Sequence, residues 1–407
     1  MTLARRTVAF GLPALAAASA FAADDAGIAL HKRLITFDAE MDIPDDFMTG
    51  DKDFGRETAM QIDLHKMDRG ALDGAAFVVF VNQDKRTPEL YAKARAGAQA
   101  KLVAIEKMLS AYPKRIALAR RAADVPKIVA AKKHFAVISI VNAYPLGEDL
   151  SWLPELYARG LRMMGFTHAG HNQFADSSRP QEKLGDGKAE HGGLSALGKQ
   201  AVAEMNRLGI IVDVSQLTPD GVMQCVKLSR APVVASHSAV RKLVESTRNL
   251  TDEEMLAIKA NGGVVHIVAF GSYLKTRTKE QFAALAALNA GFGMKPFDEA
   301  TKVLPADKLP AYRTQYDAYL AAYPPADVGN MADAIDYAVK LIGIDHVGIS
   351  TDMEHGGGIV GYKDAGEAPG LTRELAKRGY AERDLGKLWS GNFLRVWQAV
   401  EKAAARR

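Results

Sequence analysis

Glu40 and Asp42, Val141, His168, Gln216, His237 and Asp352 each stand where a short apolar run gives way to a loop. Carboxylates and imidazoles are the side chains that hold divalent cations and move protons. If the runs are strands of one (β/α)8 barrel, their ends meet on a single face, where such barrels keep their active sites. Val141 is the odd member, because an aliphatic side chain can neither ligate nor titrate.

The elements that would carry these residues alternate along the chain. Strand-like runs are read at 34–38, 75–81, 135–141, 162–167, 210–214, 232–235, 263–269 and 346–351. Several are continuous and β-branched, as expected of strands covered on both faces. Helical periodicity fills the gaps at 88–112, 150–159, 195–208, 218–229 and 251–260, with further helices at 371–379 and 381–398. No antiparallel hairpin signal intervenes. The pattern predicts an α/β fold with a parallel sheet closed as a (β/α)8, TIM-like barrel. A doubly wound open sheet is the alternative, but no Gly-x-Gly-x-x-Gly turn follows the first strand. The Ala-, Lys- and Tyr-rich stretch 276–325 is too long for a simple connection and reads as a helical insertion within a single domain spanning 23–407.

Arg5 and Arg6, the apolar stretch 7–18 and Ala20-Phe21-Ala22 read as a signal peptide over 1–22, so a periplasmic or otherwise exported protein is expected. The apolar stretch is too short to span a bilayer, and no stable membrane span is expected after the leader is removed. The net charge of +4 falls to +2 (4 − 2) without the two leader arginines, which gives no reason to expect nucleic acid as a partner. A homodimer is compatible with the chain. The single cysteine, Cys225, admits no intramolecular disulfide and lies among apolar neighbours, as a buried thiol would.

The segments FDAEMDIP (37–44), NAYPLGEDL (142–150), GFTHAGHNQFADS (165–177), IVDVSQL (211–217), VVASHSAVRKLVESTRNL (233–250) and GIDHVGISTD (343–352) resemble the membrane (renal) dipeptidase family of zinc-dependent, amidohydrolase-type barrels. The resemblance implies hydrolysis of dipeptides or small peptide-like substrates. It also implies roles, several of them altered here. The family's His-x-Asp becomes Glu40-Met41-Asp42, its bridging Glu falls at Val141, and one ligand His falls at Gln216. His237 and Asp352 keep the family's metal-site and catalytic residues, and His168 and Arg248 its substrate contacts.

Two close cations need a bridging carboxylate, which Val141 cannot supply, and an amide oxygen is a poor replacement for imidazole toward zinc. The expected metal ligands are therefore Glu40, Asp42, His237 and Asp352 around one divalent cation, zinc by resemblance. The other expectation is no metal, with Glu40 paired to Arg248 or His237. Asp352 and His168 are the expected catalytic groups, and Arg248 with His168 would bind substrate, the guanidinium clamping a carboxylate. His266 and His355 are candidates to restore a nitrogen ligand or a base. The alternative to hydrolysis is a non-hydrolytic periplasmic barrel that binds a small peptide-like ligand or assists maturation of a secreted metabolite.

Overall fold

The structure is a computed structural model that describes residues 27–295 and 300–405. The proposed leader at 1–22 lies outside the described residues, as does part of the expected insertion. Among the described residues nine strands form one parallel sheet: β1 Phe37–Asp42, β2 Gly74–Val79, β3 Ile116–Leu118, β4 His134–Ile140, β5 Leu161–Gly165, β6 Ile211–Asp213, β7 Val234–Ser238, β8 Val264–Val268 and β9 Val347–Ser350. The order is β1-β2-β4-β5-β6-β7-β8-β9, with β3 pairing the N-terminal residues of β4. The ring closes just past β9. Met41 pairs with Met353, the Asp42 amide donates to the Met353 carbonyl at 3.0 Å, and the Asp352 amide donates to the Glu40 carbonyl at 3.1 Å. Eight strands thus form the (β/α)8 barrel that the alternation predicts.

Local chemistry explains the boundaries. The strands are buried along nearly their whole length, so continuous apolar runs suit them. Helix Ala196–Leu208 starts where the Ser195 side chain accepts from the Gly198 amide. It ends at Gly209, whose φ of 87° is the left-handed conformation that glycine adopts without strain, and β6 follows two residues later. Helix Asp252–Ala260 carries a reciprocal cap between Thr251 and Glu254. β1 and β7 both run further toward the mouth of the barrel than the sequence suggests, carrying Asp42 and His237 inside strands rather than beyond them.

The connection from β8 to β9 holds helices Lys279–Gly291, Ala300–Val303 and Leu309–Ala322 before Val328–Ile342 packs back on the barrel. Cys225 is buried on the inner face of helix Pro219–Leu228, although Met223 and Leu228 point outward. Among the described residues no helix is long and apolar enough to cross a membrane.

His31 ties the start of the described chain to its end. Its ring bonds Thr372 Oγ1 at 2.6 Å and the Gly70 carbonyl at 3.0 Å, and it meets the Trp389 ring edge-on at 5.0 Å. Burial lowers its pKa from 6.5 to about 4. The folded state therefore resists a proton that the unfolded chain accepts, so this site's contribution is intact above about pH 6.5 and is lost as pH falls toward 4. His31→Gln should flatten the fall of the thermal unfolding midpoint between these pH values, measured by circular dichroism. An unchanged slope would show that His31 has no part in it.

Candidate active site

The barrel interior beneath the mouth is polar, and its acids are answered by strand-end donors. Asp38 on β1 accepts from the Thr351 amide at 3.0 Å, from the Thr351 hydroxyl, and from the Glu40 amide at 3.2 Å. Asp213 on β6 accepts from the Ser236 hydroxyl at 2.6 Å, the Ser236 amide at 2.9 Å and the Ser215 amide at 3.0 Å. Burial raises both acids above the ordinary carboxylate range, Asp38 to about 7. The first network fixes the turn that presents Asp352, and the second fixes the strand end that presents His237.

Above these networks a cavity of about 10 Å³ is lined by Glu40, Asp42, Val141, His168, Gln216, His237 and Asp352, together with Phe80 and His355. All the strand-end residues singled out in the sequence therefore converge. Arg248 lies directly behind, 3% exposed, donating from Nη2 to the His237 carbonyl at 2.9 Å with its guanidinium 5.1 Å from the Tyr273 ring centroid. His355 also reaches the site, whereas His266 does not. The His266 ring is buried below, bonded to the Ala235 carbonyl at 3.2 Å and facing Phe393.

Each charged group in the cavity has a definite setting. Asp42 is held on both oxygens: Oδ2 meets His355 Nδ1 at 2.8 Å, while Oδ1 accepts from the Ile43 amide at 2.7 Å and lies 3.5 Å from Lys101 Nζ. That contact with Asp42 raises the His355 pKa against the opposing effect of burial. Glu40 is fully buried and its Oε2 finds no hydrogen-bond partner among the described residues. Burial, followed by repulsion from Asp352, Asp213, Asp42 and Asp38, pushes its pKa well up. Burial likewise raises Asp352 to about 7, opposed by His355 and Arg248. Asp352 sits at φ 59° and Gln216 at φ 71°, left-handed conformations that a non-glycine residue adopts only when its surroundings hold it. Burial and nearby Arg179 keep His168 neutral, its pKa lowered to about 2.

Three participants escaped the reading of the sequence. Phe80 packs against both His168 and His355, at centroid distances of 4.5 and 4.7 Å, and the two imidazoles meet each other at 5.0 Å. Lys101 was signalled weakly, as a lysine on the apolar stripe Tyr91, Ala94, Ala98, Leu102, Ile105 of a helix. Arg179 lies in an irregular loop with no periodic cue, yet its Nη2 donates to Gln216 Oε1 at 2.5 Å.

A family model for membrane dipeptidase (peptidase family M19) matches residues 26–407. The chain is 28% identical over 351 residues to the dipeptidase aclJ of Aspergillus oryzae, covering 84% of this chain and 71% of that protein. The crystal structure of the probable dipeptidase PvdM from Pseudomonas aeruginosa superposes with a TM-score of 0.83 at 40% identity, covering 94% of this chain and all of that one. A Rhodobacter sphaeroides metallo peptidase liganded with a phosphinate mimic of L-Ala-D-Ala shares the fold, with a TM-score of 0.66 at 21% identity.

Membership in a metallopeptidase family implies a metal cofactor, typically zinc. The donors present here do not fit a pair of ions, because Val141 supplies no bridge and Gln216 turns its amide nitrogen toward His237 Nε2, at 3.0 Å. His237 Nδ1 is taken by Ser236 Oγ at 2.7 Å. With Asp42 already held by His355 and Lys101, no group of three or more His, Cys, Asp or Glu side chains among the described residues is arranged to hold an ion.

Val141→Glu combined with Gln216→His should raise the zinc bound per chain toward two, as read by elemental analysis. No gain would show that the site departs from its relatives at more than these two positions. The barrel, the site at the C-terminal ends of its strands and the match over nearly the whole chain lead to one conclusion: this protein belongs to the membrane dipeptidase family and is a dipeptidase-family hydrolase with a donor set of its own.

Proposed function

We propose that the protein is an exported amide hydrolase acting on dipeptides or similarly small peptide-like molecules that carry a free carboxylate, with a metal site altered from that of its relatives. The observation that carries this reading is Arg248. Its guanidinium is buried, and Nε and Nη1 have no hydrogen-bond partner among the described residues. Leaving a buried cation with empty donors is costly unless an anion completes it. A planar carboxylate matches the fork of a guanidinium with two parallel hydrogen bonds.

The neighbouring groups suit the rest of the reaction. With the carboxylate at Arg248, the scissile carbonyl would lie toward His168, a neutral imidazole able to donate a hydrogen bond to the developing oxyanion. Asp352 would take a proton from the attacking water and pass it to the leaving amine as the C–N bond breaks. The 10 Å³ cavity holds at most one water, so the body of the substrate must lie outside it. A cleft of about 530 Å³ opens on the other side of Phe80, lined by Asn82, Asp84, Lys93 and Tyr144, and is large enough for a dipeptide. Export is supported by the Arg5-Arg6 pair, the apolar stretch after it and Ala20-Phe21-Ala22.

A second reading, a non-hydrolytic barrel that binds the same class of ligand or assists maturation of a secreted metabolite, is favoured by the Gln216–His237 contact. Incubation with alanyl-alanine, followed for amine release and by calorimetry, separates the two. Release supports the hydrolase, binding without release supports the second reading, and neither would remove both. Arg248→Ala should weaken binding by about 1.5–3 kcal/mol, the range for hydrogen bonds to a charged group. Unchanged affinity would take Arg248 out of the site.

A further inference from the structure

We propose that Arg179, acting through Gln216, stands where a metal ion would act on His237, and that Arg179 and Arg248 together form a metal-independent seat for a ligand carboxylate. This goes beyond the functional reading above and does not require that hydrolysis occur.

Donor and acceptor rules fix the direction of each bond around His237. A guanidinium can only donate, so the atom of Gln216 that faces Arg179 Nη2 at 2.5 Å must be the amide oxygen. The amide NH2 is then the group 3.0 Å from His237 Nε2, and Nε2 must accept. A neutral imidazole that accepts at Nε2 carries its proton on Nδ1, which donates to Ser236 Oγ at 2.7 Å. The Ser236 hydroxyl in turn donates to Asp213 Oδ2 at 2.6 Å. Each bond in this relay has one permitted direction, running from a buried cation to a buried acid. The lone pair of Nε2 that a metal would take is thereby occupied.

Gln216 is held in this pose by its backbone as well. Its carbonyl accepts from the Ser178 amide at 2.8 Å and from the Thr167 hydroxyl at 3.2 Å, which anchors the left-handed turn. Arg179 itself comes from the same loop, one residue beyond Ser178. One loop thus supplies both the cation and the clamp on the residue it acts through.

The relay leaves positive charge in the site. Neither Arg179 nor Arg248 makes a hydrogen bond or ion pair with a carboxylate among the described residues. Arg179 Nε and Arg248 Nε and Nη1 are buried without partners. Both guanidiniums are tied to His237, Arg179 through the Gln216 amide that meets Nε2 at 3.0 Å and Arg248 through the His237 carbonyl at 2.9 Å. Empty guanidinium donors call for an anion, and a carboxylate, which accepts paired hydrogen bonds from such a fork, is the group they suit.

Histidine-selective 15N NMR, with signals assigned by comparison with His237→Gln, tests the relay directly. The expected result is His237 protonated on Nδ1 and unprotonated on Nε2, with signals that do not move when one equivalent of zinc is added. Calorimetry with alanyl-alanine as the probe should give the same affinity in chelator and in zinc. Arg179→Met should weaken it about ten- to a hundred-fold, the range for a charge-assisted hydrogen bond, and Arg179→Lys should recover part of that loss. Zinc binding that shifts the His237 signals, or probe binding abolished by chelator, would overturn the proposal. So would Arg179→Met with both affinity and His237 tautomer unchanged. If alanyl-alanine does not bind at all, the functional reading fails while the His237 signals still decide the relay.

Discussion

Charged groups buried at the C-terminal end of the barrel must find partners inside the protein, and the site depends on how they do so. Asp38 and Asp213 lie below the mouth with no cation beside them among the described residues, and backbone amides and hydroxyls from neighbouring strand ends meet them instead. The Asp38 network holds Thr351 and thereby the left-handed Asp352 just where β9 meets β1. The Asp213 network holds Ser236 and the tautomer of His237. Barrel closure and the pose of two site residues therefore rest on the same hydrogen bonds. Removing one partner would leave a buried carboxylate uncompensated, which costs more than the bond itself contributes.

Higher in the mouth the same rule is met in a different way. Asp42 is enclosed by His355 and Lys101, whereas Glu40 and Asp352 reduce their charge by holding protons more tightly. Membership in a metallopeptidase family implies a metal cofactor among such acids. Here side chains of the protein itself stand close: Lys101 and His355 at Asp42, Arg248 at the His237 carbonyl and Arg179 behind the Gln216 amide. The changes at Val141 and Gln216 belong together on this view, since the first removes the bridge between two ions and the second fills the place of one.

Much of this was legible in the sequence. The eight barrel strands were readable because buried parallel strands are continuous apolar runs, and their ends named seven of the nine residues around the cavity. β3 was missed because three residues carry no periodicity. Arg179 was missed because an irregular loop gives no indication of which side chain turns inward. Lys101 was hidden by the habit of reading a lysine on a helix as exposed, although its place on a buried stripe was the signal. Arg248 was recognised only through the family's motif. Its burial and empty donors depend on the fold of the turn before Thr251, which no local pattern encodes.

A guanidinium and an amide thus stand in the place of a metal at His237. Diffraction from crystals grown with excess zinc, collected at the zinc absorption edge, tests it most directly. The account predicts no anomalous peak among Glu40, Asp42, His237 and Asp352, with the Gln216 amide still about 3.0 Å from His237 Nε2. A peak within bonding distance of His237 Nε2, with Gln216 turned away, would contradict it.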